Sequence, residues 1–272
     1  MSFTDELQRL PAQPISAMRV LRMVDDPHAS TADLARLIET DPALSAQVMR
    51  MANSPYYGLS GNVASAGRAV VLLGFTTVRA LAVSGACSLL TSERDDLFPR
   101  GFWPHAVTTG VAAAAIARRL GVTASEAFSA GLLHDIGAAL LYRRDPVAYQ
   151  RVLDAADFDP GALLTIERRE LGTTHADLGG EALEAWRFPP AFVRAVRQHH
   201  RSPREVTGTL TRAVVIGESL ARVVAPTALH EAVVPVRAAL DGAGLRDVDP
   251  APLLREIERE LSQLAWFLEI GR

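Results

Sequence analysis

Apolar residues recur at intervals of three and four positions along most of the chain, the spacing that places them on one face of an α-helix. Strict alternation of apolar and polar residues, which is typical of a half-buried strand, is weak throughout. Capping residues, glycines and prolines separate one periodic segment from the next. The pattern therefore predicts an all-α fold.

Several helices of the first half are predicted from signals at their ends. Ser30-x-x-Asp33 resembles a capping box, with Asp in place of the usual Glu. Asp41-Pro42 opens a further helix, because proline is tolerated in the first turn, where its missing N–H costs nothing. Val63–Leu73 is predicted to be helical up to Gly74. Phe75–Leu90 then forms a longer helix, apolar on nearly every side and therefore central to the core.

A polar stretch divides the chain into two predicted units. It runs from Thr91 to Asp96 and is followed by Pro99-Arg100-Gly101. Residues 1–98 are interpreted as an N-terminal helical lobe with a structural or partner-binding role, because its acids fall at caps and solvent faces. Residues 99–272 form a second helical bundle, which ends in an amphipathic helix from Pro250.

The second unit places a carboxylate in apolar surroundings. Thr123-x-x-Glu126 is a capping box, and it opens one continuous helix that runs past Asp135. On that helix Phe128, Leu132 and Asp135 share a face, with His134 beside them. An unpaired carboxylate on a buried face costs several kcal/mol. Asp135 therefore needs a cation, a histidine or a metal as its partner.

Other histidines and a glutamate lie on or beside apolar helix faces in the same unit. His105 follows the start of one helix, His175 begins the inward face of another, and Glu218 borders the apolar stripe of a third. His199 and His200 end a further helix. Adjacent residues differ by about 100° around a helix axis, so the sequence leaves open which of this pair faces inward.

Imidazole and carboxylate are ligands suited to Fe, Mn or Zn, and one Asp can bridge two metal ions. The alternative is that each histidine is a satisfied core or surface residue, which is the better interpretation of any single one. This alternative is weaker for His134 and Asp135 together, because the carboxylate of Asp135 is predicted to lie on a buried helix face. A His-Asp dipeptide is by itself of low specificity, so both interpretations stay open.

Charge and hydropathy narrow the class of protein. The chain has 272 residues and a net charge of −3, with its Arg residues spread rather than clustered, so we expect no nucleic-acid partner. No apolar run approaches the roughly 20 residues that span a bilayer, so we expect no membrane insertion. Met1–Leu10 lacks the apolar centre of a signal peptide, so a cytoplasmic location is expected.

Motifs in a fixed order carry a resemblance to a known family. In the second half they are Phe102-Trp103-x-His105, Gly131-Leu132-Leu133-His134-Asp135-Ile136-Gly137, Glu167 ahead of Leu171-Gly172-x-x-His175-Ala176, Trp186-x-x-Pro189, and His199-His200; in the first half they are Asp41-Pro42-x-Leu44-Ser45, Ala52-Asn53-Ser54-Pro55 and Ala69-Val70-x-x-Leu73-Gly74. Together they resemble the HDOD domain, a divergent branch of the HD superfamily found in bacterial signalling proteins. The resemblance covers roughly residues 5–225. It implies a helical lobe packed on an HD-type helical bundle.

The resemblance also implies a set of metal ligands. In catalytic HD phosphohydrolases these are a His, the His-Asp pair, further His residues and a late Asp. The matching positions here are His105, His134, Asp135, His175, His199 or His200, and Glu218 in place of the late Asp. The implied cofactor is Fe, Mn or another divalent metal, and no other cofactor is expected.

Three departures separate the chain from HD phosphodiesterases that cleave cyclic dinucleotides. Ala138 stands where those enzymes have a Lys, and Arg201 stands where they have a Glu after the His pair. Their Gly-Tyr-Pro signature is missing from residues 201–208. The groups that grip the substrate are therefore expected to be lost, and no residue is assigned a catalytic role.

Two functions from different classes follow from these observations. The first is a non-catalytic signalling module that binds a partner protein and possesses a vestigial or ligand-sensing metal site. No separate sensor or output domain lies within the 272 residues, so we expect the signal to pass through that partner or through a homo-oligomer. The second is a metal-dependent phosphohydrolase that acts on a nucleotide or another phosphoester.

Overall fold

The computed structural model describes residues 20, 23, 30–39, 48–49, 51–53, 63, 65–89, 101–156, 160–185, 188–225 and 234–263. Regular structure within these residues is helical, with no strand among them, so the predicted all-α class is confirmed. No described helix is both long enough and apolar enough to cross a membrane. The segments around Asp41-Pro42 and 91–98 lie outside the described residues, and the division at residue 98 stays a prediction.

The helices are α1 (Thr31–Glu39), α2 (Ala66–Leu89), α3 (Phe102–Ala117), α4 (Ala124–Leu133), α5 (Ile136–Arg144), α6 (Pro146–Ala156), α7 (Pro160–Leu171), α8 (His175–Ala185), α9 (Pro190–Gln198), α10 (Thr209–Val224), α11 (Val236–Gly242) and α12 (Pro250–Gln263). A 3₁₀ turn, Arg118–Leu120, follows α3. The amphipathic helix predicted from Pro250 is α12, which packs on α3.

Within the predicted N-terminal lobe, the structure describes helices α1 and α2. Ser30 Oγ accepts a hydrogen bond from the Asp33 N–H at 3.2 Å, and the Ser30 N–H donates to Asp33 Oδ2 at 3.0 Å, so the predicted capping box is formed. Gly74 interrupts α2 with φ 76° and ψ 159°, a conformation that residues with a Cβ rarely adopt. The predicted helix break at Gly74 is therefore confirmed.

The predicted lobe and the predicted bundle meet where α2 packs on α4. Buried Ser129 on α4 donates a hydrogen bond to the buried Thr77 hydroxyl on α2 at 3.3 Å. This contact matters because His134 directly follows the last residue of α4. A displacement at the candidate site therefore reaches the predicted lobe through a single helix, α4.

Close backbone contacts bring the site-bearing helices together. A Cβ added to Gly131 on α4 would lie 2.7 Å from Gly110 Cα on α3, and one added to Gly217 on α10 would lie 2.6 Å from Ala113 N on α3. Real Cβ contacts are not that short, so these crossings need glycine. Helix α3 is consequently the centre of the bundle, with α4 and α10 packed directly against its backbone.

The continuous helix predicted through Asp135 is wrong. Helix α4 ends at Leu133, α5 begins at Ile136, and Asp135 has φ −100° and ψ 13° between them. The physical reason is that the two segments pack on different partners: α4 lies on α3, and α5 lies on α8. The chain changes direction at the His-Asp pair, and the carboxylate is therefore presented from a junction rather than from a helix face.

Thr123 offers a direct test of helix capping. Its Oγ1 accepts from the Glu126 N–H at 3.3 Å and donates to Glu126 Oε2 at 2.6 Å, which is the predicted capping box. Thr123→Ala is expected to lower the free energy of unfolding by about 1 kcal/mol, as measured by urea denaturation. Thr165→Ala removes the same atoms from an exposed position inside α7, where alanine has the higher helix propensity, so it should cost less stability than Thr123→Ala. Equal losses in both variants would contradict the capping role.

Candidate metal centre

Seven side chains predicted as metal ligands come together inside the bundle. They are His105 from α3, His134 and Asp135 from the junction of α4 and α5, His175 from the first turn of α8, His199 and His200 just beyond α9, and Glu218 from the middle of α10. His200 is half-buried, and none of the other six is more than 3% exposed. His199 and His200, between which the sequence did not choose, both lie in the cluster.

The Asp135 carboxylate lies at the centre of the cluster. Its Oδ1 is 3.2 Å from His199 Nε2 and 3.5 Å from His175 Nε2. Its Oδ2 is 3.2 Å from His134 Nε2 and 3.6 Å from His105 Nε2. Each carboxylate oxygen therefore faces a different pair of imidazole rings, so Asp135 lies between two pairs of histidines.

Backbone carbonyls orient two of these rings. His134 Nδ1 donates to the Gly131 carbonyl at 2.7 Å, and His199 Nδ1 donates to the Val196 carbonyl at 2.6 Å. A carbonyl only accepts, so the proton of each neutral ring is on Nδ1 and the lone pair is on Nε2. These lone pairs are directed into the cluster, where His134 Nε2 also lies 3.2 Å from His105 Nε2.

Glu167 and Tyr149 support the cluster from outside it. The buried Glu167 carboxylate accepts from His175 Nδ1 at 2.9 Å and from the His175 N–H at 2.9 Å. Tyr149 donates its hydroxyl to Glu167 Oε1 at 2.7 Å. Burial raises the pKa of Glu167, but the His175 ring outweighs burial and the net pKa is lowered. The sequence assigned no role to either residue; the only signal was the place of Glu167 in the family motif.

Neighbouring rings in the cluster have different proton affinities. Burial lowers the pKa of His175, but the Glu167 carboxylate outweighs burial and raises this pKa to about 9. Burial, reinforced by the rings of His199 and His175, holds the pKa of His200 well below its ordinary value. His175 Nε2 and His200 Nε2 are 2.7 Å apart, so a protonated His175 donates to a neutral His200.

Glu218 is shared between the cluster and an arginine. Its Oε1 accepts from Arg222 Nη2 at 2.7 Å, one helical turn further along α10. Burial raises the pKa of Glu218, but the Arg222 guanidinium and the rings of His200, His199 and His134 together outweigh burial and hold this pKa well below its usual range. The i,i+4 spacing was a usable sequence signal for Arg222 that was not considered. Glu218 thus supplies a permanent negative charge beside the histidines.

The seven side chains form two groups whose ligand atoms lie within 4.8 Å of one another. Asp135, His175, His199 and His200 make the first group, and His105, His134 and Glu218 make the second. The Asp135 Oδ2 atom extends toward the second group, as its distances to His134 and His105 show. Imidazole nitrogens and carboxylate oxygens in this proportion suit a divalent Fe, Mn or Zn ion, so the residues present fit the cofactor predicted.

The sequence profile of the HDOD domain matches residues 10–202. The chain belongs to the HDOD family. This confirms the resemblance that the motifs predicted, and the matched region spans the N-terminal lobe and the HDOD site as far as the His199-His200 pair. The profile ends before Glu218, so this residue is placed in the site by the structure.

Solved structures similar to this HDOD protein are described as a phosphohydrolase and as a response regulator. A candidate phosphohydrolase from Shewanella amazonensis SB2B has a TM-score of 0.70 and 25% identity, over 98% of this chain and 96% of that chain. The MmoQ response regulator of Methylococcus capsulatus str. Bath has a TM-score of 0.50 and 32% identity, over 90% of this chain and 97% of that chain.

A curated relative, an uncharacterized protein of Treponema pallidum (strain Nichols), is 26% identical over 208 residues. The alignment covers 74% of this chain but only 40% of the relative, so the HDOD chain corresponds to less than half of that protein.

Proposed function

We propose that this HDOD domain is a signalling module that holds a buried divalent-metal centre and acts through a protein partner, without turning over a substrate. The observation that carries the proposal is the burial of the candidate ligands, of which only His200 is more than 3% exposed. Structural metal sites are closed by protein ligands, whereas catalytic sites keep a position open for water or substrate.

Among the described residues, two positions near the cluster also fail to favour the binding of a phosphoester. Ala138 follows the His-Asp-Ile-Gly run, and its methyl group offers no charge to a phosphate. Arg222, the cation beside Glu218, is already engaged by that carboxylate at 2.7 Å. A phosphoryl group needs cations or a metal with an open coordination position to stabilise its transition state. These features favour metal retention over metal catalysis.

A bound metal would act as a cross-link between helices. Its ligands come from α3, the α4–α5 junction, α8, α10 and the end of α9, so occupancy would tie together elements that are distant in the sequence. Helix α4 also packs on α2 of the N-terminal lobe. We propose that metal occupancy sets the packing of α4 and thereby the surface that a signalling partner binds.

Metal content and turnover, measured on the same preparation, test the proposal. Protein purified without added metal is expected to contain a divalent ion by inductively coupled plasma mass spectrometry. It is expected to hydrolyse neither bis(p-nitrophenyl) phosphate nor cyclic dinucleotides. Removal of the ion with a chelator should lower the midpoint of thermal unfolding, because an ion that binds only the folded protein stabilises it.

Two outcomes would contradict the proposal in different ways. Hydrolysis that disappears in Asp135→Ala would make the protein a metal-dependent phosphohydrolase. Protein that stays folded and metal-free after incubation with Fe²⁺, Mn²⁺ and Zn²⁺ would reduce the cluster to a packing role.

The second candidate function, a metal-dependent phosphohydrolase acting on a nucleotide or phosphoester, is favoured by the Asp135 geometry. A carboxylate whose two oxygens face separate ligand groups suits a pair of metal ions, and such pairs activate water and stabilise both oxygens of a phosphoryl transfer. Half-buried His200 marks the side from which a substrate would approach. The turnover measurement above separates this function from the first.

A further inference from the structure

We propose that Glu167 is a positioning residue for the metal centre: it fixes the ring and tautomer of His175 so that the Nε2 lone pair is presented to the metal. This inference rests on the proposed metal centre. Glu167 belongs to α7, which contributes none of the seven candidate ligands, and its side chain is 0% exposed. It would act through His175, without touching the metal itself.

Three donors converge on the Glu167 carboxylate. The His175 backbone N–H donates to Oε2 at 2.9 Å, and His175 Nδ1 lies 2.9 Å from both oxygens. The Tyr149 hydroxyl donates to Oε1 at 2.7 Å. A buried carboxylate held by three donors has little freedom to rotate, so it is a rigid acceptor on the far side of the His175 ring from the cluster.

The backbone contact locks the ring as well as the helix end. His175 is the first residue of α8, and its N–H is one of the donors that have no partner within the helix. Glu167 accepts this N–H and the Nδ1–H of the same residue, which fixes the side-chain torsions relative to the backbone. The opposite nitrogen, Nε2, then lies 3.5 Å from Asp135 Oδ1 and 2.7 Å from His200 Nε2.

The consequence for metal binding follows from proton placement. A carboxylate accepts but cannot donate, so it keeps the proton of a neutral His175 on Nδ1 and leaves Nε2 free for the metal. Hydrogen bonds of this kind to a metal-bound histidine typically change metal affinity by about 10- to 100-fold. Tyr149 extends the support, since its hydroxyl limits rotation of Glu167.

Glu167→Gln tests the proposal with a side chain of nearly the same shape. Its amide NH₂ is a donor, and where it faces His175 Nδ1 it moves the ring proton to Nε2, which blocks the lone pair. The affinity of the group containing His175 for Mn²⁺ or Zn²⁺ should fall about 10- to 100-fold by titration. The group of His105, His134 and Glu218 should retain its metal, so the ratio of metal to protein should fall by half.

Matched variants separate positioning from a general loss of packing. Glu170→Gln changes an exposed glutamate on the same helix, which pairs with Arg169, and should leave metal affinity and stoichiometry unchanged. Tyr149→Phe keeps the carboxylate and should cause a smaller loss of affinity than Glu167→Gln. It also carries the test if Glu167→Gln does not fold.

Nitrogen-15 NMR of the His175 ring provides a readout that requires no metal. In the neutral His175 ring, which is the form present above its pKa of about 9, wild-type protein should show the proton on Nδ1, and Glu167→Gln should show it on Nε2. The positioning role would be overturned if the variant kept the wild-type tautomer. It would also be overturned if the wild type bound metal and the variant bound it with the same affinity. If the wild type binds no metal and the variant still loses the Nδ1 proton, only the metal centre is refuted, and the positioning of the ring by Glu167 stands.

Discussion

Asp135→Asn is expected to empty the metal centre while the helical bundle stays folded. The change replaces one carboxylate oxygen by an NH₂ group and removes the negative charge that both ligand groups share. The new donor would face a lone pair on His134 Nε2 or His199 Nε2, both of which lie 3.2 Å from the carboxylate in the wild type. Metal affinity should therefore fall by at least about 100-fold, more than for loss of a supporting hydrogen bond.

The same variant has a modest expected effect on the metal-free protein. Asn fills the same space and keeps one acceptor, so the free energy of unfolding should change by about 1 kcal/mol. Metal content by mass spectrometry and urea denaturation after chelation measure the two effects separately. Asp154→Asn alters an exposed acid on α6 that accepts from Gln150, and it should leave both quantities unchanged.

A different result would assign Asp135 another role. Asp135→Asn with full metal content would show that this carboxylate is no ligand and that its place among four imidazole rings is a matter of hydrogen bonding. A wild type without metal, destabilised by about 1 kcal/mol in the variant, would have the same meaning. Loss of metal together with a fully unfolded chain would instead indicate that the metal-free bundle cannot form.

Local signals predicted those parts of the fold that depend on neighbouring residues. The capping box at Thr123 and the break at Gly74 each depend on a few adjacent positions, and both are present. The junction at His134 and Asp135 was missed because apolar residues continue on both sides with a helical period. Only the separate packing of α4 and α5 shows that the helix must end there.

The candidate ligands could be chosen from the sequence for a similar reason, but the residues that support them could not. His105, His134 and His175 were marked by residue type and by motif. Glu167 stood in the family motif but was assigned no role, because the seven residues between it and His175 cross a helix end at Gly172, where φ is 75°. Helical periodicity does not carry through such a turn, so the sequence alone cannot tell which side chain of α7 returns to the start of α8.

The link between site and lobe gives the proposed signalling role a physical route. His134 directly follows α4, and Ser129 on that helix donates to Thr77 on α2. Buried cores are densely packed and respond to displacement by discrete rearrangement rather than by smooth deformation. A metal that changes the end of α4 would therefore bias the packing of α2, which suits transmission to a partner better than access to a substrate.

Gly137→Ala is expected to cause the largest loss of stability. A Cβ at this position on α5 would lie 1.9 Å from the His175 carbonyl oxygen and 2.6 Å from Gly179 N, both of them backbone atoms of α8. Backbone cannot rotate away as a side chain can, so α5 and α8 must separate. Overpacking of this severity should lower the free energy of unfolding by about 3 kcal/mol in urea denaturation.

The separation should also remove metal, because it moves His175 away from Asp135 Oδ1, now 3.5 Å from its Nε2. Gly67→Ala is the matched control, since a Cβ there meets only Ala35 Cβ at 3.8 Å, an ordinary contact. On helical propensity alone this control should gain about 0.5–1 kcal/mol and keep its metal. Equal stability of the two variants would show that the α5–α8 crossing yields to a methyl group, and the close approach of Asp135 to His175 would then not depend on glycine.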